Sequence, residues 1–119
     1  MKGLPVTFPF RQLQPVFCAG LLEDPLLFLR FKTKNSNMLV DCGQLDHLSK
    51  RTLKSIGVIF ITHAHMDHFA GFDRFARSVL VSNRIFTLIG PSGIASRLFQ
   101  KLNAYVWNLT EDYFCCFKV

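Results

Sequence analysis

The run Val58-Ile59-Phe60-Ile61-Thr62 passes without a break into His63-Ala64-His65-Met66-Asp67-His68. β-Branched and aromatic residues in succession favour a strand packed in a core. That strand therefore ends in a cluster holding three of the chain's four histidines and one of its eight acids. In extended backbone, side chains alternate, so His63 and His65 point the same way and can reach one cation. Asp67 and His68 fall where the chain turns into the next segment, and can be directed toward a neighbouring cation.

Imidazole nitrogen with carboxylate oxygen suits zinc, with manganese or iron as alternatives. Two such ions about 3.5–4 Å apart can hold a bridging hydroxide and clamp both sides of a phosphodiester or ester. Without a cation, these polar groups crowd one another and lack good partners. His47, alone on its segment, reads as an ordinary hydrogen-bonded histidine. Asp41 closes a strand beside Cys42 and Gly43, as the histidines close theirs. If the two strands are neighbours, Asp41 can hydrogen-bond the histidine loop and orient its ligands; a turn-capping aspartate is the other reading. Asp73 reads as a helix-surface charge.

A chain of 119 residues, half of them apolar and thirteen of them Phe, has room for one core. Only 18% of residues are charged, which argues against disorder. No apolar run is long enough to span a bilayer. Pro5 and Pro9 interrupt the N-terminus, so no secretory signal is expected and the chain is assigned to the cytoplasm. Cys18, Cys42, Cys115 and Cys116 form no C-x-x-C pair and read as buried thiols rather than a disulfide framework. The net charge of +6 permits an anionic partner such as RNA. The basic residues are scattered, however, with only small groups at Arg30/Lys32/Lys34 and Lys50/Arg51/Lys54.

Leu27, Leu29 and Phe31 alternate with Phe28, Arg30 and Lys32, the pattern of a half-buried strand. A turn at Lys34-Asn35-Ser36-Asn37 returns the chain through Met38-Leu39-Val40 as a hairpin, ending at Gly43, which can take a positive φ. A short helix is expected over 46–54, then the strand Val58–Thr62. Phe69, Phe72, Phe75/Ala76 and Val79/Leu80 recur at helical spacing, with Asp73 and Arg77 as an outward i,i+4 pair. Arg84–Ile89 reads as a strand. Ser92 is the expected N-cap of a helix that buries Ile94, Leu98 and Leu102 and turns Arg97 and Lys101 outward. Tyr113–Val119 looks like a strand with no polar tail after it, as if the chain were cut short. Strands followed by single helices give an α/β (α+β layered) domain.

Thr62-His63-Ala64-His65-Met66-Asp67-His68-Phe69-Ala70-Gly71 resembles the H-x-H-x-D-H signature of the metallo-β-lactamase fold superfamily. Leu39-Val40-Asp41-Cys42-Gly43 is similar to that family's upstream Asp motif. Ile89-Gly90-Pro91-Ser92-Gly93 and Tyr105-Val106-Trp107-Asn108-Leu109 resemble segments of its ribonuclease Z-like branch. The resemblance implies an αββα metallo-β-lactamase sandwich, with residues 1–119 as the N-terminal portion of a single domain. It further implies His63 and His65 on one Zn2+ and Asp67 and His68 on a second, Asp67 also moving protons in catalysis, and Asp41 supporting the ligands from behind. The implied reaction is hydrolysis of a phosphodiester at the 3′ side of precursor tRNA; a lactone, thioester or cyclic nucleotide is the alternative substrate. The superfamily completes its site with further His and Asp ligands, yet no histidine follows His68 here. This chain is thus expected to carry half of the metal site. A homodimer, a complementary C-terminal chain and a non-catalytic fragment all remain open.

Overall fold

The computed structural model describes residues 12–18, 22–80, 82, 84–106 and 116–119. Its elements are β1 (Leu13–Phe17), β2 (Leu27–Phe31), β3 (Asn37–Val40), α1 (Lys50–Lys54), β4 (Ile56–Phe60), α2 (Met66–Phe69), α3 (Phe72–Val79), β5 (Ile85–Ile89), α4 (Ile94–Asn103) and β6 (Cys116–Lys118). The strands form one sheet in chain order. β1, β2 and β3 pair antiparallel, and β3, β4, β5 and β6 pair parallel. The fold is therefore α/β, as the sequence suggests.

Register explains where the core sits. Phe28 pairs with Leu39, Leu39 with Ile59 and Ile59 with Leu88, so one row crosses four strands. Every member of that row is buried, and it joins Leu53, Phe72, Phe75 and Leu98 of the helices in one cluster. The adjacent row on the opposite face, Leu27, Val40, Phe60 and Ile89, is only half-buried or exposed. Period-two alternation thus buries Phe28, with Leu26, rather than the Leu27/Leu29/Phe31 side. At the far edge Phe86 packs against Phe75 (5.3 Å between rings, 89°) and Phe117 (5.8 Å), tying β5 and β6 to α3.

Local chemistry accounts for the departures from expectation. β1, unread in the sequence, carries Pro15 and lies at the sheet edge, where a strand can tolerate a missing N–H. The helix expected over 46–54 starts only at Lys50, because Ser49 accepts a hydrogen bond from Thr52 N and caps it there. β4 begins two residues earlier than the Val58–Thr62 run and ends at Phe60. Gly93, at φ 87°, replaces Ser92 as the N-cap of α4. Asp73 pairs not with Arg77 but with Lys101 of α4, at 3.1 Å. His47 meets Glu23 at 3.4 Å on the surface. Cys18 is half-buried and Cys42 buried, both as free thiols; Cys115 and the Cys116 side chain lie outside the described residues, as does most of Tyr113–Val119 before β6. No helix among the described residues is long and apolar enough to cross a membrane.

The expected single helix after the histidines is two, α2 and α3, broken at Ala70-Gly71. The cause is a close backbone approach: a Cβ on Gly71 would meet Gly43 O at 2.0 Å and Cys42 O at 2.8 Å. Gly43 is equally confined, its Cβ position lying 2.5 Å from Asp67 O. Gly71→Ala should therefore cost about 2–3 kcal/mol or more in urea unfolding. A wild-type midpoint for this variant would contradict the close approach.

Candidate metal-binding site

β3 and β4 run parallel, so both strands end on the same edge of the sheet. One further rung, Asp41 N donating to Phe60 O at 2.6 Å, extends the ladder past β3. There the backbone turns: Asp41 takes φ 61°, the positive φ expected of Gly43. The Asp41 carboxylate is thereby directed beneath the histidine loop. It is 6% exposed, the only buried charged residue among those described.

Its oxygens are satisfied by that loop. Thr62 N donates to Oδ1 at 2.8 Å, Thr62 Oγ1 lies 2.9 and 2.8 Å from Oδ1 and Oδ2, and His68 Nδ1 lies 2.8 Å from Oδ2. Three backbone bonds close the seam: Cys42 N to His68 O, Gly71 N to Cys42 O and Gly43 N to Pro25 O, at 2.8, 2.9 and 3.0 Å. The two glycines that permit this approach flank the site on either side.

Proton counting then fixes the histidine tautomers. A carboxylate only accepts, so His68 Nδ1 carries the hydrogen it gives Asp41. Thr62 Oγ1 spends its one hydrogen on Asp41 and accepts from His63 Nδ1, 2.9 Å away. Both rings are left with a lone pair on Nε2, the form that ligates metals. The His63 ring centroid lies 4.4 Å from that of His65 and 3.9 Å from that of His68. His68 Nε2 faces Asp67 Oδ2 at 3.4 Å; two acceptors so placed are relieved by a cation between them. His65 and Asp67 are exposed, and His63 and His68 half-buried.

The donor chemistry fits a metal, but the number of donors falls short. Among the described residues no group of three or more His, Cys, Asp or Glu is placed to hold a metal ion. Thr62 is the residue that sequence reasoning passed over. Its signal was only its position, a hydroxyl between a strand and the first histidine.

Behind the seam, burial pushes the Cys42 thiol far above its usual value of 9.0. Folded Cys42 keeps its proton where the unfolded chain has lost it, so this stabilisation is present below about pH 9 and declines as pH rises. Stability in urea should fall above that pH, and Cys42→Ala should flatten the fall; an unchanged alkaline slope would contradict it. Asp41→Ala strands Thr62 N–H and should cost about 2–3 kcal/mol. In 15N-correlated NMR at neutral-to-alkaline pH, His63 and His68 should both appear as Nδ1–H tautomers. Thr62→Val should shift His63 alone toward Nε2–H, and an Nε2–H signal for either ring in the wild type would contradict the proton count.

Comparison with known proteins places these features. A Beta-lactamase superfamily domain matches residues 36–111, more than half of the chain. Ribonuclease Z of Clostridium beijerinckii is 36% identical over 116 residues, covering 86% of this chain and 38% of the relative. Ribonuclease Z of Deinococcus radiodurans is 38% identical over 76 residues, 61% of this chain and 23% of the relative. The chain thus spans well under half the length of either. The crystal structure of human tRNase Z, short form, superposes with a TM-score of 0.60 at 24% identity, over 78% of this chain and 38% of that one. The metallo-beta-lactamase fold protein YhfI from Bacillus subtilis gives 0.55 at 19% identity, over 91% and 42%. These two share the fold. Because residues 36–111 take in Asp41, the histidine loop and both strands that present them, the chain belongs to the beta-lactamase superfamily.

Proposed function

We propose that this chain carries one half of a two-zinc hydrolytic site, and that the complete site cleaves phosphodiesters at the 3′ ends of precursor tRNA. The observation that carries the reading is the Asp41–His68 pair at 2.8 Å beside the clustered rings of His63, His65 and His68. His63 and His65 would hold one zinc, and Asp67 and His68 a second. When bound, zinc would supply a hydroxide at neutral pH and polarise the scissile phosphate. Asp41 and Thr62 keep the imidazole protons on Nδ1, so the rings need no rearrangement to ligate. Asp67, exposed at the loop's mouth, would accept or return the proton of the attacking water. The RNA substrate, the cytoplasmic setting and any second chain belong to this proposal.

Two protein ligands per zinc is below the three usual at a catalytic site. The 119-residue chain alone should therefore bind zinc weakly and leave precursor tRNA uncut. Elemental analysis after gel filtration, with a cleavage assay on the same fractions, checks both. About two tightly held zincs per chain with cleavage would overturn the half-site. A second reading, a lactone, thioester or cyclic-nucleotide hydrolase of the same fold, predicts turnover of those substrates by a metal-replete assembly without RNA cleavage.

A further inference from the structure

One of the small basic groups in the sequence and a single member of the other line the same cleft. Arg30 and Lys32 lie at the end of β2, Lys34 in the turn to β3, and Arg51 on α1. All four line one cleft of about 830 Å³, and all four side chains are exposed. No acid lines it.

The described acids are elsewhere. Glu23, Asp24 and Asp46 line a different pocket beside Gly43, Asp41 and Asp67 belong to the histidine loop, and Asp73 pairs with Lys101. The cleft's cations therefore lie where β3 and β4 begin, with no acid beside them, whereas Arg74 and Lys101 are paired with Asp46 and Asp73. Dipole complementarity at the end of α1 accounts for Arg51. It does not account for the three cations on the hairpin.

The wall of the cleft is fixed by side-chain bonds. Asn37 Oδ1 accepts from Phe31 N at 3.0 Å, Asn37 Nδ2 donates to Ser55 Oγ at 2.8 Å, and Ser55 Oγ donates to Thr52 O at 2.6 Å. This relay ties the hairpin to α1, so the two elements that carry the cleft's cations are held against each other. From Gln14 on β1 to Asn37 on β3 the lining spans two strand spacings, about 10 Å at ~4.8 Å each, and continues onto α1. That is longer than one phosphate group, and a concave cationic trough suits a linear polyanion better than a flat lipid surface. Gln14, Asn35 and Thr52 add neutral donors and acceptors of the kind that contact 2′-hydroxyls.

We propose that the cleft between the β2–β3 hairpin and α1 binds the phosphate backbone of single-stranded RNA, at the end of the sheet opposite the histidine loop. The choice of RNA over DNA rests on the ribonuclease Z-like reading; the cleft's charge does not. Fluorescence anisotropy of the full chain with a fluorescein-labelled oligouridylate tests it. Lys32→Ala/Lys34→Ala/Arg51→Ala should weaken binding at least about tenfold and lower the salt slope by about two to three. The charge-matched Arg77→Ala/Arg97→Ala/Lys118→Ala, none of which lines the cleft, should stay within about twofold of wild type. Lys34→Glu, at the exposed hairpin turn, should by itself weaken binding and needs no change in the wall. Equal weakening by the two triple variants, wild-type affinity in the cleft variants, or preference for phosphatidylserine vesicles over the oligouridylate would overturn the assignment. His63→Ala separates the two proposals: it should reduce zinc uptake and leave oligouridylate binding intact.

Discussion

One buried carboxylate joins three separate parts of this molecule. Asp41 leaves β3 in a left-handed backbone conformation and receives hydrogen bonds from the end of β4 and from His68. A carboxylate at 6% exposure is costly to bury unless its oxygens are filled, and here the filling groups belong to the histidine loop. The loop therefore cannot leave without stranding the charge. Gly43 and Gly71 let the backbones meet closely enough for the exchange, and α2 and α3 separate where that contact falls.

Functional order follows from the same pair. A histidine ligand needs one nitrogen bare and its ring held, and a hydrogen bond at the other nitrogen does both. Asp41 does this directly for His68, and Thr62 relays it to His63. The site is thus set by hydrogen bonds made among residues on or beside the sheet rather than by the ion it would receive. The half-exposed row Leu27, Val40, Phe60 and Ile89 on the sheet's other face fits the αββα layering that the family resemblance implies, with a second sheet against it.

The β2–β3 hairpin, the strand before the histidines and the helix of Ile94 and Leu98 were legible because alternation or helical spacing marks each. The adjacency of Asp41 and the histidine loop was legible as a condition, that their strands be neighbours, and β3 and β4 are. Other features were invisible for physical reasons. The break at Ala70-Gly71 obeys a tertiary contact with Gly43, which no local periodicity encodes. The burial of Phe28 depends on which face the helices cover, and alternation alone does not choose a face. The positive φ of Asp41 was assigned to Gly43 on conformational freedom, whereas the carboxylate's hydrogen bonds hold Asp41 there. The basic cleft needed the fold of the sheet to bring Arg51 to the hairpin.

The central proposal is that Asp41 and Thr62 set the histidines in advance to act as metal ligands. Diffraction from zinc-soaked crystals of this chain, with anomalous maps at the zinc edge, tests it most directly. The account predicts zinc density, at whatever occupancy, beside Nε2 of His63 or His68, with Asp41 still bound to His68 Nδ1. Zinc bound through Nδ1 of either ring, or a His68 released from Asp41 on binding, would contradict it.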